Sequence, residues 1–344
     1  MGAQITTISE FLLQAGTEYR VFDLGRGIRK IAAQDFLDME NARKPAPCPR
    51  QQHGWFGLVF WNKQLSEQQY IWFIKLPLDE QGLIMPAGRD QFMHIIVEAL
   101  GAQLEHTEQK NGQLPENPFT FIPTQQQLAD FNSISRVRLG LPASQHFNAA
   151  LSYVQAPAQG NWHELAVQGL ADVAARIGDE EVLAALCDNL PSLPATVRKS
   201  LLTSLENQPV PVRLAEVITH LLNASPNDGA LWSEGLRALA QSPCTGLVAQ
   251  QIDAVLEGEL ARSLDVLIVI AGRLWHHLDN TRLMRFLDAV AQLNQTTPGL
   301  FHGVYADLVQ LPDLRAAMLG VLRDPNRSQV LSAAIGELFS EAGQ

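Results

Sequence analysis

Cysteine, basic charge and long apolar runs are all scarce in this chain of 344 residues. Its three cysteines, Cys48, Cys187 and Cys244, form no C-x-x-C pair, which excludes a disulfide framework and any cysteine-rich zinc site. Lys and Arg number 25 against 36 Asp and Glu, a net charge of −11. That balance argues against a nucleic-acid partner, because tracking phosphates takes clustered Lys and Arg that release counterions. The longest strongly apolar stretch, Val266 to Gly272, falls far short of the roughly 20 residues that cross a bilayer. The opening residues show no basic segment followed by an apolar one, so no secretory signal is expected. These absences describe a soluble cytoplasmic protein with no membrane association, a setting that suits unpaired thiols. Catalytic motifs are missing as well. There is no G-x-S-x-G elbow and no H-E-x-x-H or paired H-x-x-x-H, so the reading leans away from an enzyme and no cofactor is expected.

What is present divides into two halves. The length suits two domains of ordinary size. In the first half, Thr7 and Glu10 form a capping box ahead of Ile8, Phe11, Leu12 and Ala15, which predicts a short helix ending at Gly16. Tyr19–Leu24 and Ile28–Ile31 alternate on either side of Gly25-Arg26-Gly27, the pattern of a β-hairpin. Ala33–Ala42 reads as helical, and Pro45, Pro47 and Pro49 then force a loop. Gly54–Trp61 and Tyr70–Leu76 are aromatic and β-branched on both faces, so the expectation is a second strand pair at a sheet centre covered on each side, with a polar connection between the strands. A helix over 87–104 follows, with Phe92, Ile95, Ile96, Ala99 and Leu100 on one face. A proline-rich connection (Pro115, Pro118, Pro123) leads to two helices at 125–138 and 143–155. Helix, hairpin, helix, hairpin, helix is the order of an α+β domain with antiparallel hairpins.

The second half has a measurable period. Pro209, Pro226 and Pro243 stand 17 residues apart, and Val197, Leu214, Leu231 and Val248 keep the same step, as do Leu205, Leu222, Leu239 and Leu256. Such a step fits one helix plus a tight connection, and two steps make a helical hairpin of about 34 residues. The expectation is an all-α, helical-repeat domain of α-solenoid type, whose plain alternative is a compact bundle of equal helices. Tetratricopeptide spacing is not met around Trp232 and Gly235. The strict step lapses after Leu256, where position 260 holds no proline. Further helices are expected at 263–277, 281–293, 299–310, 314–322 and 329–339. Residues 1–155 carry 13 basic and 15 acidic side chains, net −2, whereas residues 156–344 carry 12 and 21, net −9. The acidic half would steer a partner with a basic surface, although a solvated outer face that keeps the chain soluble is the favoured reading of the charge.

The strings Thr6–Leu12, Tyr19–Ile31 and Trp72–Asp79 resemble an uncharacterised bacterial family labelled only as a domain of unknown function, with members of about this length. The resemblance implies a bacterial cytoplasmic protein and brings no activity, cofactor or catalytic residue.

Two clusters offer chemistry. Asp90, His94 and Glu98 lie one helical turn apart on one face and are of types a divalent metal accepts, the plain alternative being a solvent-facing stripe with a half-buried histidine. Arg20, Asp23, Arg26, Arg29 and Lys30 surround the glycine turn of the first hairpin, whose amides could cradle an anion. Charges on an exposed hairpin face account for them as well. Cys48 sits in a polar loop where exposure is expected, and His276-His277 closes a helix. The organisation expected is 1–123 as the α+β domain, 124–158 as a helical connector and 159–344 as the helical-hairpin array. The functional expectation is a non-enzymatic adaptor for an unidentified protein partner, with a small-ligand or anion-binding sensor or enzyme in the first domain as the alternative.

Overall fold

The computed structural model describes residues 6–62, 69–105 and 116–341, side chains of 100–105 and 340–341 excepted. The expected connection between the second pair of strands and the start of the proline-rich segment at Pro115 lie outside them. The chain forms two compact units, Met1–Pro123 with Gln310–Pro312 and Thr124–Val309 with Asp313–Gln344.

In the first unit, α1 (Ile8–Gln14) starts where the Thr7 side chain accepts the Glu10 amide. Strands β1 (Glu18–Asp23), β2 (Arg29–Ile31), β3 (His53–Trp61) and β4 (Gln69–Pro77), with helices α2 (Ala33–Glu40) and α3 (Pro86–Glu105), complete it. The sheet is antiparallel with order β2-β1-β3-β4. Tyr19, Val21, Phe56, Leu58, Ile74 and Leu76 alternate onto one face and bury against Ile8 and Leu12 of α1, Phe36 and Met39 of α2, and Phe92 and Ile96 of α3. Phe36 meets Phe56 edge-on at 5.2 Å. The placement of β4 corrects the sequence reading: it is an edge strand with an alternating, half-exposed pattern, whereas β3 is central and buried along almost its whole length. Backbone bonds from Lys75 N to Phe119 O (2.8 Å) and from Phe121 N to Phe73 O (3.2 Å) cover part of that edge.

The second unit is helical. It runs α4 (Gln125–Arg138), α5 (Phe147–Gln155), α6 (Val167–Ala175), α7 (Glu180–Asn189), α8 (Ala195–Leu205), α9 (Val212–Asn223), α10 (Gly229–Ala238), α11 (Thr245–Glu257), α12 (Leu264–Arg273), α13 (Asn280–Asn294), α14 (Leu300–Leu308), α15 (Pro312–Val321) and α16 (Gln329–Glu341). Side chains of Thr124, Asp179, Asp228 and Asp279 cap four of these starts by accepting a first-turn amide. Packing alternates: α4, α6, α8, α10 and α12 each lie on the next, while α5 lies on α7, α7 on α9, and α11 on α13. Helices α5, α7, α9, α11 and α13 begin 33, 32, 33 and 35 residues apart.

The 17-residue registers mark the inside of this packing. Val197, Leu214, Leu231 and Val248 are buried, as are Leu205, Leu222 and Leu239; Leu256 is half-buried. The three prolines stand exposed in the connections. Where position 260 lacks a proline, the turn Glu259–Arg262 buries Leu260, and α12 and α13 still begin at 264 and 280. The helix expected over 263–277 breaks at Leu274 into the short 3₁₀ turn Trp275–His277.

Candidate functional site

The first hairpin places its charged residues differently from an exposed stripe. Asp23 and Arg29 are register partners on one face of the β1–β2 pair, whereas Arg20 and Lys30 fall on the other. Asp23 and Arg26 are buried, at 1% and 4% exposure, which overturns the exposed-face reading for those two. The cause is the proline loop, which folds over the turn. Gly25 sits so close that a Cβ there would stand 1.9 Å from the Cys48 carbonyl oxygen, and Arg26 Nε donates to the Pro49 carbonyl at 3.2 Å. Cys48 is accordingly buried, not exposed. The Gly25 amide donates to Asp23 Oδ1 at 3.0 Å, so the aspartate itself occupies the turn. Burial pushes the Asp23 carboxyl up to about 7 against the pull of the Gly25 amide and of Arg29 and Arg26. The Cys48 thiol beside it is pushed up to about 12, first by burial and then by that carboxylate. Asp23 Oδ2 and Arg29 Nε are buried without a regular hydrogen-bond partner. Of the five candidate residues, Asp23, Arg26 and Arg29 come together. Arg20 lies over the Trp61 ring at 5.3 Å, and Lys30 is exposed.

The helical stripe on α3 is solvent-facing. His94 is 72% exposed and pairs with Glu98 at 3.1 Å, while Asp90 is held by Arg89 at 2.7 Å. Among the described residues no group of three His, Cys, Asp or Glu side chains is arranged to hold a metal ion. His277 is buried, with its pKa lowered by burial and by Arg282.

Sequence reasoning missed two buried polar assemblies. In the first unit, Glu40 is fully buried and accepts the Ile8 amide (2.6 Å), the Ser9 amide (3.1 Å) and the Ser9 hydroxyl (2.5 Å). Arg89 donates to the Glu40 carbonyl, and burial pushes the Glu40 carboxyl up to about 7. In the helical unit, Gln126 and Asp130 of α4 meet Ser200 and Ser204 of α8. Beyond the end of α8, Glu206 Oε2 accepts Arg237 Nε of α10 (2.8 Å) and Arg273 Nε of α12 (3.0 Å). The α5/α7/α9 and α11/α13 packing is tied in turn by Gln155–Glu181, Arg213–Glu180, Arg282–Asp253 and Arg285–Glu257. These contacts span sequence separations of 26 to 33 residues, close to one helical hairpin. An open groove of about 440 Å³ between α13 and α15 is lined by Asn280, Met284, Ala316 and Gly320 among others; its single carboxylate, Asp324, already accepts the Asn326 amide.

The architecture is thus a four-stranded antiparallel sheet with helices, followed by a long helical region in which packing skips one helix. No helix among the described residues is long and apolar enough to cross a membrane. A chain of this organisation matches, over residues 3–339, the family described as protein of unknown function DUF3549, and it belongs to that family. No curated protein matches the chain, and no solved structure does.

Proposed function

We propose that this protein is a non-enzymatic adaptor of the bacterial cytoplasm, which presents an α-solenoid-like surface to another macromolecule. The observation that carries the reading is the alternate-helix packing, with α5, α7, α9, α11 and α13 starting 32 to 35 residues apart. In arrays of that kind each hairpin contacts its neighbours, and the stack lays out an extended face that binds partners. Ion pairs 28 to 33 residues apart in sequence join α7 to α9 and α11 to α13, so polar side chains as well as leucines support the stacking. The partner is a protein with a basic surface, because residues 156–344 carry a net charge of −9. The test is cross-linking of the full chain in native lysate, followed by mass spectrometry. A stoichiometric partner whose cross-links fall on α4–α16, and whose retention weakens with salt, supports the reading. Recovery of the protein alone, or cross-links confined to the sheet unit, overturns it.

A second reading, an anion-binding sensor or enzyme of the first unit, draws on Asp23 Oδ2 and Arg29 Nε, two buried polar atoms without regular partners at one turn. Binding there requires the 45–50 loop to lift from Gly25. A thermal-shift series with inorganic phosphate, nucleotides and sugar phosphates decides it; no shift up to millimolar concentration rejects it.

A further inference from the structure

Asp130 is buried at 4% exposure in the middle of α4, yet its hydrogen-bond partners are neutral. Oδ1 accepts the Ser204 hydroxyl at 2.6 Å and the Gln126 side-chain amide at 3.0 Å. The same amide reaches Ser204 Oγ at 2.9 Å, and Gln126 Oε1 accepts the Ser200 hydroxyl at 3.0 Å. Gln126 and Asp130 are one turn apart on α4, as Ser200 and Ser204 are on α8, so the four side chains form a two-rung ladder between helices that both pack on α6.

The charges around the ladder do not compensate a carboxylate. Glu206, just past the end of α8, raises the cost of a second negative charge, and Arg237 of α10 lowers it by less. Both Arg237 and Arg273 of α12 are already bonded to Glu206. From α6, Gln168 is bonded to Ser133 and to the Ala129 carbonyl, while Asp172 is paired with Arg176. A buried carboxylate with only hydroxyl and amide donors is stable while neutral and costly once ionised.

We infer that the α4–α8 seam is a proton-operated clasp: with a neutral carboxyl Asp130 ties α4 to α8, and ionisation of that group loosens the tie. The neutral form keeps one oxygen as acceptor for Ser204 and Gln126. The ionised form places a charge beside Glu206 and gains no cation, so the seam yields before the rest of the helical unit. Burial pushes the Asp130 carboxyl up to about 7, which sets the clasp to respond around neutrality.

The test is hydrogen exchange on the full chain, read peptide by peptide from about pH 5.5 to about pH 8.5 and corrected for intrinsic rates. Peptides of α4 and α8 are expected to lose about tenfold or more in protection as pH rises from about 5.5 through about 7, with little further change above it, while peptides of α14 and α16 stay level. Asp130→Asn keeps an acceptor for Ser204 and removes the titration, so its α4 and α8 protection is expected to stay level with pH. A pH-dependent loss that persists in Asp130→Asn overturns the proposal. So does a flat profile for α4 and α8 in the unaltered chain, a result that stands even if the variant does not fold.

Discussion

Leu222 of α9 closes over the bare Cα of Gly235 of α10: a Cβ at Gly235 would stand 2.7 Å from Leu222 Cδ2 and 3.1 Å from Cδ1. Leu222 is fully buried, and its place in the 17-residue register makes it a direct probe of the repeat. Leu222→Ala removes three carbons from a site whose neighbours are helices with little room to collapse. The expected loss is about 2–5 kcal/mol by chemical denaturation. A loss below about 1 kcal/mol would place the leucine outside the load of the core and undo the register.

Gly25 supplies the matching test in the first unit. Gly25→Ala drives a methyl into the Cys48 carbonyl oxygen, and neither the strand end nor the proline loop offers a flexible tip to move. The expected destabilisation is about 2–4 kcal/mol, with faster hydrogen exchange in residues 46–50 as the loop lifts. Gly246→Ala, in the first turn of α11 with nothing within 4 Å of its would-be Cβ, is the control and should be neutral or mildly stabilising. Equal behaviour of the two variants would refute the close packing of turn and loop.

The same loop shows what a sequence can and cannot reveal. Helix starts were legible because their signals are local: the Thr7 cap, the Thr124 capping box, the prolines between helices. The 17-residue step was legible because each leucine repeats one environment. Burial of Asp23 and Arg26 was not, since it depends on Cys48 and Pro49, more than 20 residues away, whose polar and proline-rich setting reads as a solvated loop. The edge position of β4 was hidden for a related reason. Tyr70, Ile71, Trp72 and Phe73 look like a strand buried on both faces, yet strand order, which no local pattern encodes, leaves them half-exposed or exposed. Glu206 gives no local sign of its two arginine partners, 31 and 67 residues later.

Three of the buried carboxyls among the described residues give the protein a pH signature. Asp23, Glu40 and Asp130 are each pushed up to about 7, with burial as the largest cause. Each is raised above its unfolded value, so its contribution to stability is fully present below about pH 4 and is lost as pH rises through about 7. The melting temperature is therefore expected to be higher near about pH 6 than near about pH 8.5. Asp23→Asn, which keeps an acceptor for the Gly25 amide, should flatten part of that slope. A melting temperature that rises toward alkaline pH would contradict the burial of these groups.

Glu206 is the point at which three successive helices of one row are joined, and its contribution can be measured without ambiguity of site. A single oxygen, Oε2, accepts both Arg237 Nε and Arg273 Nε, and its backbone carbonyl accepts the Gln241 side chain at 3.1 Å. The carboxylate is nearly buried, with 8% of its side chain exposed, whereas Arg237 and Arg273 keep 32% and 21% and remain partly solvated. Glu206→Gln preserves volume and one acceptor but removes the charge that both guanidinium groups share. Because water still reaches the arginines, the expected cost is about 1–3 kcal/mol, below that of breaking a fully buried pair. Removing one arginine leaves the other bonded, so Arg237→Ala and Arg273→Ala should be less than additive with Glu206→Gln in a double-mutant cycle. Full additivity, measured by denaturant unfolding, would mean that the shared oxygen couples nothing and that the row is held by its leucines alone.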